Sequence, residues 1–379
     1  MKKICFVLTA EYAVKVFLLN HLRVLSEAYD VTVIVNTKNP NFLKEQGVDA
    51  KVIPLSIARD ISLVSDLMCL IKLIKIFHQE NFASVHSITP KAGLLGMLAG
   101  WVVRIPLRIH TFTGQVWANK KGLKRFFLKK IDCLVVFLTT YNIVDSPSQR
   151  QFLLDEKVTT FAKSAVFAKG SISGVDVVRF KPNPKIRESL RQRLNIHTDA
   201  ILFLFLGRLT LDKGVLDLAQ AFSYLHNGCL HLLFVGPDEQ NIQAEFPQMP
   251  AKDNPNIHFI IGHTDTPETY MAAADILCLP SYREGFGSVV IEAAAVGIPA
   301  IASRIYGLTD AVLDGETGLL HEPYDVNALK VCMQQMINDK TLRIKLGEQA
   351  RTRSIREFDS GLITQLWVDF YRKHLNYNE

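Results

Sequence analysis

Two series of short apolar runs, each interleaved with longer amphipathic stretches and parted by one break rich in glycine and proline, constrain this 379-residue chain more than any other feature. The first series starts with KICFVLTA and a stretch of helical period to Ser26, then runs through VTVIV, Leu63 to Phe77 and SVHSIT. The second opens with ILFLFLGR at 201 to 208, has a helix starting near Lys213, and continues through HLLFVGP, IHFIIG, DILCLPS and PAIAS. Strands alternating with helices of this length form parallel sheets covered on both faces. Between the series, GSISGVDVVRFKPNP loses all periodicity at Gly170, Gly174, Pro182 and Pro184 and reads as a hinge. The expected fold class is therefore α/β, with two doubly wound, Rossmann-like parallel-sheet domains. Residues 1–180 form one, residues 181–355 the other, and residues 356–379 hold a further helix from Ile363 to Leu375.

Composition narrows the class. A hydrophobic fraction of 48% against 21% charged supplies core enough for two domains and excludes a fibrous or disordered chain. Cys5, Cys69, Cys133, Cys229, Cys278 and Cys332 stand singly, with no CxxC pair or metal-ligand spacing, which suits a reducing cytosol. The first strand follows Lys2 and Lys3 directly, so no signal peptide is expected. The most apolar run, Ile61 to Phe77, carries Asp66, Lys72 and Lys75 and is not expected to span a bilayer. Residues 1–180 carry 24 Lys+Arg against 13 Asp+Glu, and the remainder 19 against 24. The basic half calls for an anionic partner, whether lipid headgroups, a diphosphate-bearing acceptor or nucleic acid.

In doubly wound folds ligands bind beyond the carboxyl ends of the strands. After ILFLFL come Gly207, Arg208 and, five residues on, Lys213 before Gly214 at a helix start. An arginine fork and a compact ammonium beside a helix N-terminus can grip a diphosphate, or can simply be solvated cations beside a turn. After DILCLPS come Tyr282, Arg283, Glu284, Gly285, Phe286 and Gly287, then a helix carrying Glu292. That spacing sets one carboxylate in the loop and one about a turn into the helix, where both can accept from sugar hydroxyls. The glycines let backbone N–H groups approach a ligand closely. The plainer reading is a capped helix with solvated acids.

These stretches resemble the retaining glycosyltransferases of family 4, which have the GT-B fold of two Rossmann-like domains about an interdomain cleft. GRLTLDKG looks like the family's diphosphate motif, and PSYREGFGSVVIEAAAVGIP like its E-x7-E signature. GLTDAVLDGETGLLHEP is also similar, with Asp310 where glutamate is common. The resemblance implies that Arg208 and Lys213 hold the donor diphosphate, Glu284 contacts the donor sugar and Glu292 binds the ribose. The backbone of Gly285, Phe286 and Gly287 would lie against phosphate and sugar, with Gly207 beside them. It further implies attack from the face of departure, so that configuration is retained, and a C-terminal helix that packs back on the first domain.

In the first half, SVHSITPKAGLLGMLAG and HTFTGQVW resemble acceptor-side segments of bacterial surface-polysaccharide and lipid-linked-oligosaccharide transferases. The acceptor-side candidates are His86, Lys91, Thr113 and Gly114. Thr113 stands where the family often has histidine, and His110 comes three residues early. His86 and His110 read either as functional groups or as ordinary hydrogen-bonded histidines at strand ends, and Lys91 either binds an acceptor phosphate or is solvated. KKGLKRFFLKK reads as a basic amphipathic helix, with Lys120, Lys121, Lys124, Arg125, Lys129 and Lys130 as candidates for contact with an anionic membrane. Nucleic acid is not expected, because neither aromatic platforms nor a reading helix accompany the charge.

The sequence contains no Asp-x-Asp, so Arg208, Lys213 and a helix dipole are expected to replace a metal at the departing diphosphate, and no cofactor is expected. The overall expectation is a cytoplasmic enzyme, peripheral on the inner face of the cytoplasmic membrane. It would move a hexose or N-acetylhexosamine from a nucleotide-diphosphate sugar, with UDP the nucleotide the resemblance suggests, to a polyprenyl-diphosphate-linked or glycan acceptor. A nucleotide-sugar epimerase of the same fold and a non-catalytic nucleotide-sugar-binding protein are the alternatives.

Overall fold

The computed structural model describes residues 1–57, 62–225, 228–246 and 254–375. The chain forms two compact units, one of Met1–Ser173 together with the C-terminal stretch from Ser360, the other of Gly174–Asp359. The crossing points are thus Ser173 and Ser360 rather than 180 and 356. The second half of the glycine-rich break already belongs to the second unit, where Val175 N–H donates to the Phe358 carbonyl at 2.7 Å and Phe180 enters the core.

In the first unit the described strands are β1 (Lys3–Leu8), β2 (Asp30–Val35), β3 (Lys51–Pro54), β4 (Ser84–Ile88), β5 (Leu107–Phe112), β6 (Tyr141–Val144) and β7 (Ser164–Ala165). They pair in parallel in the order β3-β2-β1-β4-β5-β6-β7. The helices are α1 (Glu11–Phe17), α2 (Leu19–Ala28), α3 (Leu63–Glu80), α4 (Pro90–Val102), α5 (Gly122–Leu138) and α6 (Pro147–Asp155). The order reverses between β1 and β4, and such a switch point opens a crevice at the strand ends. Helix α4 has no polar face because it lies directly on the sheet between α3 and α5. A Cβ on Gly93 would stand 2.5 Å from His110 Cε1, and one on Gly100 2.8 Å from Val85 Cγ1.

In the second unit β8 (Ile201–Leu206), β9 (Leu230–Gly236), β10 (Ile257–Ile261), β11 (Ile276–Leu279), β12 (Ala300–Ser303) and β13 (Gly318–His321) pair in parallel in the order β10-β9-β8-β11-β12-β13. Its helices are α7 (Pro184–Arg193), α8 (Val215–Ser223), α9 (Pro267–Ala273), α10 (Ser288–Val296), α11 (Leu308–Ala311), α12 (Val326–Asn338) and α13 (Lys340–Glu357). The starts are written in the sequence: the side chains of Asn183, Asp325 and Asp339 each accept from a backbone N–H of the first turn they cap. The switch lies between β8 and β11, so the loops after these strands, which carry Arg208, Lys213 and Glu284, share one end of the sheet.

The last helix, α14 (Ser360–Leu375), belongs to the first unit. Its Trp367 ring stacks on both His21 and His86, centroids 4.8 and 4.9 Å away, and its indole N–H donates to the Ile172 carbonyl at 3.1 Å. Among the described residues no helix is long and apolar enough to cross a membrane.

Candidate active site

Two loops build the centre of the second unit. After β8, the backbone makes a short 3-10 turn at Leu211–Lys213, and α8 begins only at Val215, two residues later than the sequence period indicates. Gly214 joins them with φ of +67°, and a Cβ there would meet the Pro280 carbonyl oxygen at 2.1 Å. That close approach presses Lys213 against the loop after β11. The Lys213 ammonium donates to Glu284 Oε1, which also accepts from the Ser281 hydroxyl at 2.9 Å. Arg283 reaches back to Asp212 at 3.1 Å, and the Tyr282 N–H donates to the Asp212 carbonyl at 2.8 Å. Burial works to raise the Asp212 carboxyl, but the Thr210 hydroxyl and the charges of Arg283, Lys213 and Arg208 outweigh it and hold the group below its ordinary range. The result is a cationic rim at one sheet end, tied together by carboxylates from both loops.

The other predicted donor residues lie on the segments that follow the same two strands, β8 and β11. Arg208 directly follows β8 and Gly207, and its guanidinium meets Glu239 at 2.9 Å with 40% of the side chain exposed. Gly287 caps α10; the Val290 N–H turns back to the Gly287 carbonyl at 2.9 Å, and the Ser288 and Val289 N–H groups at the helix start precede any i−4 carbonyl of the helix. Gly285 and Phe286 precede it, but the Phe286 side chain is buried in the core, 5.2 Å from the Phe358 ring, so only its backbone is available to a ligand. Glu292 lies one turn into α10. Burial pushes its carboxyl up to about 7, against the pull of Arg179 and with the help of Glu268. Sequence reasoning missed Ser281, Asp212 and Arg283. Each lies within three residues of one it chose, and nothing but the folded loops shows which of these side chains touch.

The first unit places its candidates less uniformly. His86 is fully buried, with Nδ1 2.8 Å from the Tyr371 hydroxyl and Nε2 2.7 Å from the Thr111 hydroxyl. It is a core histidine, kept neutral by burial, which lowers its pKa well below the usual value, and its assignment as an acceptor-side group is withdrawn. Lys91 opens α4 and forms an ion pair with Asp66 at 2.6 Å. Thr113 and Gly114, after β5, line a small cleft at the ends of β4 and β5.

A description of glycosyl transferases group 1 matches residues 186–353, and one of glycosyl transferase 4-like proteins matches residues 3–137. The capsular polysaccharide biosynthesis glycosyltransferase CapM of Staphylococcus aureus is 33% identical over 350 residues, which cover 91% of this chain and 90% of that protein. The chain belongs to the group 1 glycosyltransferases. A UDP-Gal:alpha-D-GlcNAc-diphosphoundecaprenol alpha-1,3-galactosyltransferase of Escherichia coli is 24% identical across 88% of this chain and 86% of that one. The crystal structure of Anabaena Alr3699/HepE in complex with UDP-glucose matches with a TM-score of 0.82 over 98% of this chain and 100% of that chain, at 17% identity. That likeness shows the GT-B fold.

In this glycosyltransferase the basic stretch forms the start of α5, and the structure divides its cations. Arg125 and Lys129 both grip Glu156 at 2.5 Å and sit over the Trp117 ring, so they serve the fold. Lys120, Lys121, Lys124 and Lys130 are exposed. Leu123, Phe126, Phe127, Leu134 and Phe137 are exposed with them, and at 100° per residue these five and Lys130 fall within an arc of about 100°. A second such face was not seen in the sequence: Leu63, Val64, Leu67, Met68 and Ile71 of α3 are exposed beside Lys72 and Lys75. Its apolar spacing reads as core packing until the fold shows that none of the described residues covers it.

Proposed function

We propose that this glycosyltransferase moves a hexose or N-acetylhexosamine from UDP to a lipid-linked or polysaccharide-precursor acceptor in bacterial capsular or lipid-linked polysaccharide synthesis, with retention of configuration. The observation that carries the reading is the Lys213–Glu284 pair beside the N-terminus of α10. A cation, a sugar-binding carboxylate and first-turn N–H groups meet there, which is what a glycosyl diphosphate requires. Lys213 and Arg208 would neutralise the charge that grows on the departing diphosphate, acting in place of a metal. Glu284 would orient the donor sugar, Glu292 would accept from the ribose, and a leaving phosphate oxygen would take the acceptor's proton. The names of the Staphylococcus and Escherichia relatives support the acceptor class, and that of the Escherichia relative supports UDP.

The exposed apolar and basic faces of α5 and α3 support peripheral attachment to the inner face of the cytoplasmic membrane, since each lysine near an anionic surface contributes about 1 kcal/mol. Thermal denaturation against a panel of nucleotide sugars tests the donor. The true donor at 100 times its dissociation constant adds about 2.7 kcal/mol to stability. A panel in which no UDP-sugar raises the melting temperature would reject the donor assignment. An NMR assignment of the product linkage as inverted would reject retention.

A further inference from the structure

Tyr282 lies between Ser281 and Arg283, two residues before Glu284. Its hydroxyl donates to Asp217 Oδ2 at 2.6 Å, and its N–H donates to the Asp212 carbonyl at 2.8 Å. The loop after β11 is therefore pinned at two places on the segment after β8: the 3-10 turn that ends at Lys213 and the first turn of α8. Gly214 joins these places with φ of +67°, and the freedom of glycine would otherwise let turn and helix shift against one another. Arg283 meets the Asp212 side chain within the turn, at 3.1 Å, whereas the Tyr282 hydroxyl reaches past Gly214 to α8. A hydrogen bond to a carboxylate is among the stronger ones a hydroxyl can make. Burial and the Asp217 carboxylate push the Tyr282 hydroxyl well above its ordinary pKa, so it remains a donor.

The Tyr282 ring is held as well. Tyr324, in the turn after β13, stacks on it with centroids 3.8 Å apart and planes 25° apart. Tyr324 has φ of +65°, a left-handed conformation that bulky residues rarely adopt. Strain of this kind persists where surrounding contacts over-determine it, and it clusters at functional sites. Tyr324 is nonetheless 61% exposed, so the stack adds little to the core and acts chiefly on Tyr282. What the two ties and the stack set is the aim of Glu284. Lys213 and the Ser281 hydroxyl both bond to Oε1, and among the described residues Oε2 has no protein partner. Oε2 is thus the oxygen open to a sugar hydroxyl, and its direction follows from how the two loops are set against each other.

We propose that Tyr282, held by Asp217 and Tyr324, is a positioning residue that fixes Glu284 against Lys213 to receive the donor sugar, which rests on the donor reading of that pair. The variants are Tyr282→Phe, which keeps the stack and removes the hydroxyl, Asp217→Ala, and Asp217→Asn, whose amide oxygen still accepts from Tyr282. Calorimetry gives UDP affinity. Turnover is UDP release from UDP-glucose, UDP-galactose and their N-acetyl counterparts, and hydrogen exchange of residues 280–287 is followed in the ligand-free protein. Tyr282→Phe lowers kcat by about 10- to 100-fold, as misplacing a group at the reacting centre by up to about 1 Å does. UDP affinity stays within about twofold, because the loss falls on the transition state. Asp217→Ala loses as much, the double variant loses no more than either alone, and Asp217→Asn stays within about threefold of the wild type. Exchange at 280–287 is faster in Tyr282→Phe and Asp217→Ala, and as in the wild type in Asp217→Asn. Undiminished turnover in Tyr282→Phe, losses that multiply in the double variant, or UDP affinity falling in step with turnover overturns the proposal. Should the wild type bind no UDP, the donor reading fails instead; exchange still decides the positioning role, which an unchanged rate in Tyr282→Phe rejects.

Discussion

Replacing Lys213 by alanine should separate what the lysine does for the fold from what it does for the reaction. Its ammonium pairs with Glu284 in a setting where the two side chains are 14% and 13% exposed. Without it the Glu284 carboxylate keeps the Ser281 hydroxyl and loses its cation. Breaking a buried ion pair by removing one partner costs about 3–5 kcal/mol, and the residual exposure reduces this to about 2–4 kcal/mol. At roughly 2–4 °C per kcal/mol for a unit of this size, the second unit should melt about 4–16 °C lower. Glu284→Gln in the same chain removes the stranded charge, so the double variant should regain stability, with a coupling of about 0.5–3 kcal/mol. Catalysis should behave differently, because no neutral pair can stabilise a departing diphosphate. Turnover should fall by about two orders of magnitude in Lys213→Ala and remain low in the double variant. Calorimetry of the four proteins, paired with transfer from the identified donor, reads both quantities. Stability losses that simply add, or turnover undiminished in Lys213→Ala, would refute the reasoning.

Glu292 gives a pH signature of its own. Its folded value of about 7 lies above the ordinary 4.5, so the folded state favours the protonated form; the penalty is absent below pH 4.5, grows between 4.5 and 7 and is complete above 7. Glu292→Gln should therefore match the wild type in denaturant melts near pH 4 and exceed it by up to about 3 kcal/mol at pH 8, and a difference that does not change with pH would dismiss the burial argument. For the membrane face, wild-type protein should co-sediment with phosphatidylglycerol-rich vesicles, and Phe126→Glu with Phe127→Glu should abolish this, while neutral phosphatidylcholine vesicles retain little of either. Unaltered sedimentation of the double variant would remove α5 from the attachment surface.

The fold, and the residues proposed for the donor site, were legible in the sequence because both are local in character. Buried parallel strands are continuous apolar runs, helices announce themselves by period and cap, and phosphate-binding loops sit directly after strands. GRLTLDKG and REGFG thus already name Arg208, Lys213 and Glu284. What two distant loops do to one another is not local, and the Lys213–Glu284 bond exists only because Gly214 lets the turn close on Pro280. His86 shows the opposite case, a strand-end residue of suggestive type whose ring is enclosed by Thr111, Tyr371 and Trp367. Two of those partners lie on a helix almost three hundred residues away. Exposure was equally hidden: α3 and α5 carry similar apolar stripes along both faces, and only their packing on either side of α4 decides which stripe meets the core and which meets solvent. Residue type and period are properties of a segment, and the sequence alone determined what depends on them. Burial, charge pairing and the identity of a neighbour are properties of the assembled sheets, and the tertiary structure alone decided those.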